Sequence, residues 1–428
     1  MRPRYQGRLG ALAFICVVGC GNGETDGSGV DATGGASAFG GGSSGIAGFA
    51  AGYAGQTGGS GGAASGGAGP GGTPSSGGNG GAIGPGSGGA IGAGGLLGGD
   101  GGTSGDGTGG TATGGAGAGG AEACDLPTSF QWTSSEPVIT PKSPSGHDFV
   151  SIKDPTIVFY GGKYHVFSTV YDAAPSSKGW KSVYLNFTDF AQADAAPQSY
   201  MATWATGCTV APQVFFFRPH NKWYLIYQWG ARYSTNDDIE NPNGWSAPKP
   251  LLAGEPSGAL DFWTICDDQN CSLFFSRDDG KLYRSKTSIA NFPAFDGYET
   301  VLSDPVAGRL FEASNVYKIQ GKNQYLLMVE AYGPRYFRSW TSTSLDGPWT
   351  PLADTQSNPF AGKANVTFDG ADWSDDVSHG EMIRAGYDET LTIDACHLQF
   401  LYQGVDPNSG VSDYGLLPYR LGLLTKTN

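Results

Sequence analysis

No run of basic residues and no basic–aromatic stripe occurs in this sequence, which excludes nucleic acid as a partner. No Cys-x-x-Cys or paired-histidine spacing occurs either, so nothing reads as a zinc site. The apolar run Leu9–Val18 is too short to cross a membrane as a helix. Beyond Cys124 no helical apolar period is sustained, which removes helix bundles. Between about Gly21 and Gly120 charge is almost missing and aromatics are few. Such a segment cannot bury enough apolar surface to offset its ordering entropy, and disorder is expected.

What is present begins with acid. Asp and Glu number 39 against 25 Lys and Arg, a formal net charge of −14 and a pI near 4.7. That balance fits an exported, soluble protein working on a neutral polymer.

The organisation is threefold. Residues 1–19 read as a signal peptide, with Arg2, Arg4 and Arg8 ahead of the apolar run. The run ends in Val17-Val18-Gly19-Cys20, which resembles a lipobox and implies that Cys20 is lipidated. Residues 20–123 are a Gly/Ser/Ala-rich linker, a tether with an end-to-end distance of about 50–60 Å. Residues 124–428 are rich in Trp, Tyr, Phe, Val and Leu and form the folded domain. Extracellular placement, held at the bacterial surface through Cys20 as the only membrane contact, and a monomeric state are expected.

Within the domain, aromatic-rich strands recur near Tyr164, Tyr224, Leu273, Tyr325 and Phe400, roughly 50–75 residues apart. The strands after them echo one another, as in Tyr233-Ser234-Thr235, Tyr283-Arg284-Ser285 and Phe337-Arg338-Ser339. Two turns repeat as well, Asn243-Gly244-Trp245 and Gly347-Pro348-Trp349. Five such units predict an all-β, five-bladed β-propeller; a β-sandwich is the runner-up but leaves the echoes unexplained. Cys266 and Cys271 can close a tight loop, and Cys124 with Cys396 would fasten the chain ends. Cys16 leaves with the signal and Cys208 is left unpaired.

Three acids stand out. Asp154 lies in Val150-Ser151-Ile152-Lys153-Asp154-Pro155-Thr156, where Pro155 should push it into an extended conformation at the mouth of a hairpin. Asp261 opens Asp261-Phe262-Trp263-Thr264, after a Gly/Pro loop. Glu312 stands in Leu310-Phe311-Glu312-Ala313-Ser314-Asn315, flanked by apolar residues, a setting suited to a protonated general acid. Each enters a different unit, and a propeller gathers such positions around its axis. Glycoside hydrolysis needs two carboxyls, one to donate a proton and one to activate water or attack.

The motifs around these acids, with Ser129-Phe130-Gln131-Trp132-Thr133, Val183-Tyr184-Leu185-Asn186-Phe187, Ala211-Pro212-Gln213-Val214-Phe215, Ser378-His379-Gly380-Glu381 and Tyr402-Gln403-Gly404, resemble glycoside hydrolase family 62. That family comprises α-L-arabinofuranosidases that remove arabinose from arabinoxylan, inverting enzymes on a five-bladed propeller. The resemblance implies Asp154 as general base, Glu312 as general acid and Asp261 as the acid that orients the sugar and tunes Glu312. It implies Lys153 and Asn315 in substrate binding. His379 matches a histidine near the axis, where relatives often hold calcium; no organic cofactor is implied. Trp229 and Tyr414 are candidates for stacking on xylan. Inversion would set the Asp154 and Glu312 carboxyls ~6.5–9.5 Å apart. The chain departs from the family at Gly207-Cys208-Thr209-Val210, in the loop before Asp261, and at Gly415, where Asn is common. The alternatives are a non-catalytic glycan-binding propeller and a related propeller glycosidase acting on arabinan or xylan.

Overall fold

The β-branched and aromatic runs beyond Trp132 form short antiparallel strands, and their apolar faces are covered only when one sheet packs on the next. The computed structural model describes residues 123–201 and 209–428. The expected leader, lipidated Cys20, tether and Cys208 lie outside those residues.

Four strands make blade 1: Phe149–Tyr160, Lys163–Asp172, Gly179–Phe187 and Ser199–Tyr200. Blade 2 is Val210–Phe217, Lys222–Gln228, Arg232–Asn236 and Lys249–Pro250. Blade 3 is Leu260–Cys266, Asn270–Ser276, Lys281–Ser288 and Glu299–Ser303. Blade 4 is Glu312–Ile319, Tyr325–Ala331, Tyr336–Ser342 and Thr350–Pro351, with Thr392–Ile393 added parallel to its first strand. Blade 5 is Ser378–Met382, Gln399–Gly404 and Arg420–Lys426, completed by Trp132–Ser134 from the other end of the domain. The first strands of successive blades touch one another in a closed ring, 1 to 5 and back to 1. This is the five-bladed propeller.

The repeat read from the sequence is offset by one strand. Its aromatic-rich members are the second strands, whereas each blade begins one strand earlier, with a strand that brings a buried polar side chain to the axis. Thr156, Gln213, Thr264, Asn315 and Ser378 are all buried there. Apolar side chains fill the spaces between blades: Val158, Phe167, Val214, Trp223 and Trp245 form one such layer between blades 1 and 2. The repeated turn tryptophans act as staples. Trp245 meets Phe167 of the preceding blade edge-on at 5.5 Å, and Trp349 meets Phe274 in the same way at 6.4 Å.

Closure is doubly secured. Trp132–Ser134 pairs with Leu424–Lys426, and the Trp132 indole N–H donates to the Phe360 carbonyl at 2.6 Å. Cys124 and Cys396 are disulfide-bonded, as are Cys266 and Cys271 across a hairpin.

Candidate active site

Each first strand breaks its pairing near its start, and that of blade 1 also shifts between Phe149 and Ser151. The shifts fall between Lys153 and Thr156, Val210 and Gln213, Leu260 and Trp263, Glu312 and Asn315, and Ser378 and Gly380. These are β-bulges, which re-aim side chains out of a ladder. In four of them the bulged residue is left-handed: Asp154 (φ 48), Ala211 (φ 45), Asp261 (φ 54) and Ala313 (φ 53). Asp154 is therefore not extended as Pro155 alone would dictate. The bulge overrides the local preference, at a cost of about 1–3 kcal/mol for a non-glycine residue.

Long-range hydrogen bonds hold the bulges. The amide of Asp154 donates to Gln403 Oε1 at 2.7 Å, and that of Asp261 to Gln228 Oε1 at 2.7 Å. The amide of Ala211 donates to Thr169 Oγ1 at 2.9 Å, and that of His379 to Glu330 Oε2 at 2.8 Å. Every one of these acceptors sits at the same point of the preceding blade, opposite the residue before the bulge. Blade 3 offers the short Ser276 there, whose buried hydroxyl finds no partner among the described residues. Asp261 itself takes over, its Oδ2 accepting the Ala313 amide at 2.9 Å. One member of the acid trio thus fills a structural gap and is fixed by it.

The bulges aim Asp154, Asp261 and His379 at one another. His379 Nδ1 lies 3.4 Å from Asp154 Oδ1 and 3.7 Å from Asp261 Oδ2. The Lys153 ammonium is 3.5 Å from Asp154 Oδ1 and donates to the Tyr414 hydroxyl at 2.6 Å. It also faces the rings of Trp180 and Tyr414 at 4.9 and 4.6 Å. Burial opposes the Lys153 charge, but Asp154, Tyr414 and Tyr419 outweigh it and raise its pKa. Burial pushes the Asp261 carboxyl well above the usual carboxylate range, and the neighbouring Glu312 and Asp154 push it further.

Glu312 holds in blade 4 the position that Lys153 holds in blade 1. Its setting differs from the apolar one its sequence neighbours suggest. It is half-buried against the Arg335 guanidinium, whose Nη1 also bonds Glu330. Burial raises Glu330 to about 7, against the pull of Arg335. A fifth acid, Asp278, stands on the blade 3 turn and is driven up to about 8 by burial, with Glu312 and Asp261 adding to it. Sequence reasoning missed Glu330, Arg335 and Asp278. The alternation around Glu330 reads as plain strand, and Asp278-Asp279-Gly280 as an ordinary turn.

Exposed aromatics stand on the turns at this end. Trp229 (42%), Tyr332 (53%) and Tyr414 (47%) come from blades 2, 4 and 5. Tyr414 keeps its hydroxyl sunk against Lys153 while its ring faces out. Glu255, in the connector before Asp261, accepts the Ala231 amide at 2.7 Å and ties that connector to the Trp229 turn. Tyr332 was not anticipated from the sequence. At Gly415 an added Cβ would come within 2.9 Å of the Tyr171 ring, so Tyr171 holds the space a side chain would need. Asn315 is fully buried beyond the bulge, and its amide nitrogen and oxygen have no hydrogen-bond partner among the described residues.

Calcium takes six to eight oxygen ligands. Among the described residues no three His, Cys, Asp or Glu side chains are grouped to hold a metal ion, and His379 Nδ1 faces the two aspartates. These side chains by themselves do not make a calcium cage around His379.

Residues 131–425 match the model of glycosyl hydrolase family 62. The chain is 57% identical over 309 residues to alpha-L-arabinofuranosidase C of Cellvibrio japonicus, covering 71% of this chain and 48% of that one. It thus spans about half the length of this curated relative. The catalytic domain of a Coprinopsis cinerea GH62 alpha-L-arabinofuranosidase superposes with a TM-score of 0.68 at 50% identity, over 71% of this chain and 99% of the other. The Podospora anserina alpha-L-arabinofuranosidase PaAbf62A, solved with cellotriose, gives 0.66 at 44% identity, over 71% and 99%. A GH62 hydrolase solved with xylotriose gives 0.66 at 45%, over 70% and 98%. The family match runs from the closing strand to the last strand of blade 5, so it takes in every blade and each acid of the trio, and the chain belongs to glycosyl hydrolase family 62.

Proposed function

We propose that the domain is an exo-acting, inverting α-L-arabinofuranosidase that removes α-1,2- or α-1,3-linked arabinofuranosyl side chains from arabinoxylan and its oligosaccharides. The observation that carries this reading is the placing of Asp154 and Glu312 on separate blades, with the buried Asp261 beside both. Asp154, beside Lys153 and His379, takes a proton from the water that attacks the anomeric carbon. Glu312 gives its proton to the departing xylan oxygen, and the C–O bond breaks as the new one forms. Asp261, whose ionisation burial disfavours, hydrogen-bonds and orients the arabinose. Trp229, Tyr332 and Tyr414 offer flat faces for xylose rings. The relative solved with xylotriose supports a groove of that kind.

The enzyme acts as a monomer at the cell surface, tethered through lipidated Cys20. The test is arabinose release from wheat arabinoxylan, followed by NMR for anomeric configuration. Asp154→Ala and Glu312→Ala should each lower kcat by about 10²–10⁴-fold. Full activity in both variants, or retained anomeric configuration, refutes the mechanism. In the native host, activity should sediment with membranes and move to the soluble fraction in Cys20→Ser; wild-type activity found soluble refutes the tether.

A further inference from the structure

Glu330 lies on the second strand of blade 4 and is completely buried. Its oxygens accept from three groups: Arg335 Nη1, Ser378 Oγ at 3.0 and 3.1 Å, and the His379 amide at 2.8 Å. Capping the next blade's bulge is a task that every blade but the third performs at this station. Blade 1 does it with Thr169, and blades 2 and 5 with Gln228 and Gln403. A neutral side-chain oxygen therefore suffices. A buried carboxylate costs several kcal/mol in desolvation unless its partners compensate. Blade 4 alone carries one at this station, so capping does not account for it.

What glutamate adds over glutamine is charge toward Arg335. That arginine ends the turn after Glu330's strand, and its guanidinium stands over the Phe311 and Tyr332 rings at 5.2 and 5.7 Å. The same Nη1 touches both Glu330 and Glu312. Glu312 thus faces a cation whose place is set from behind by Glu330. The other oxygen of Glu330 fixes the backbone of His379, whose ring lies against Asp154.

We propose that Glu330 is a positioning residue that sets the Glu312 carboxyl through Arg335 and steadies the Asp154 side through the His379 amide. The proposal rests on the reading of Glu312 as general acid. Substitution by glutamine keeps the amide cap, as Gln228 and Gln403 show, and removes only the negative charge that faces Arg335. A displaced general acid harms a reaction in proportion to how much its leaving group needs a proton.

The experiment compares wild type, Glu330→Gln and Glu312→Gln on two substrates at pH 8, where a Glu330 carboxyl raised to about 7 is ionised. Arabinoxylan releases a sugar alcohol that must be protonated, and 2,4-dinitrophenyl α-L-arabinofuranoside releases a phenolate that need not be. In Glu330→Gln, kcat on arabinoxylan should fall about 10²-fold with KM unchanged, while the aryl substrate keeps most of its rate. Equal losses on both substrates, or no loss on arabinoxylan, overturn the proposal. Should Glu330→Gln not fold, Arg335→Lys, which keeps the charge but not the fork, must show the same dependence on leaving group; equal losses overturn the proposal. Equal losses in Glu312→Gln would instead remove the general-acid reading, and the proposal with it. A leaving-group dependence in Glu312→Gln alone removes the positioning role and leaves the general acid standing.

Discussion

Asp278 shows how a single residue near the site ties stability to pH. It is left-handed (φ 56), its Oδ1 is buried without a partner among the described residues, and its carboxyl is raised to about 8. An acid raised on folding keeps a proton that the unfolded chain surrenders. The stabilisation is complete below the ordinary value of 3.8 and is lost as pH rises toward about 8. Asp278→Asn keeps the shape, tolerates the left-handed backbone and removes this titration. Urea unfolding midpoints between pH 5 and 8 should then fall less steeply with pH, by up to about 1.4 kcal/mol per pH unit. An unchanged slope would show that Asp278 does not hold the proton. Asp154, Asp261 and Glu312 were legible in the sequence because each sits in a distinctive local motif. Asp278, Glu330 and Arg335 were not, because only packing sets them beside the trio.

At the scale of elements, the decisive piece is the three-residue strand Trp132–Ser134. It is too short to be stable by itself and holds because Arg420–Lys426 and Val366–Phe368 flank it. Trp132 is fully buried, lies 5.3 Å from the Phe360 ring and bonds the Phe360 carbonyl. Trp132→Ala should cost about 3–5 kcal/mol, read as a lowered denaturant midpoint. A shift below about 1 kcal/mol would mean that blade 5 closes without it. The five-fold repeat was visible in the aromatic second strands. Its phase was not, because the first strands carry nearly as many aromatics as the second ones, and nothing local says which strand lines the axis.

For the whole molecule, the Cys124–Cys396 bridge spans 272 residues and joins the region before the closing strand to the last blade. Chain-entropy estimates put a bridge over so long a loop at no more than about 6 kcal/mol. Cys396→Ser should lower Tm by several degrees, and reduction of the wild type, which also opens Cys266–Cys271, should lower it at least as far. Arabinose release below the new transition should persist, because the acids are held by blades 1, 3 and 4. A variant whose Tm equals that of oxidised wild type would show that the strand alone closes the ring.

Strand content, turns and both disulfide pairings followed from the sequence, through alternation, turn residues and the places of the cysteines in the chain; the three acids stood out there by their local motifs. The left-handed bulges, the amide-capping ring and the Glu312–Arg335–Glu330 chain were decided by tertiary structure. The amide of Asp154 finds its acceptor 249 residues away in Gln403. A bond of that span acts only once the ring has closed, and it overrides what Pro155 asks of its neighbour.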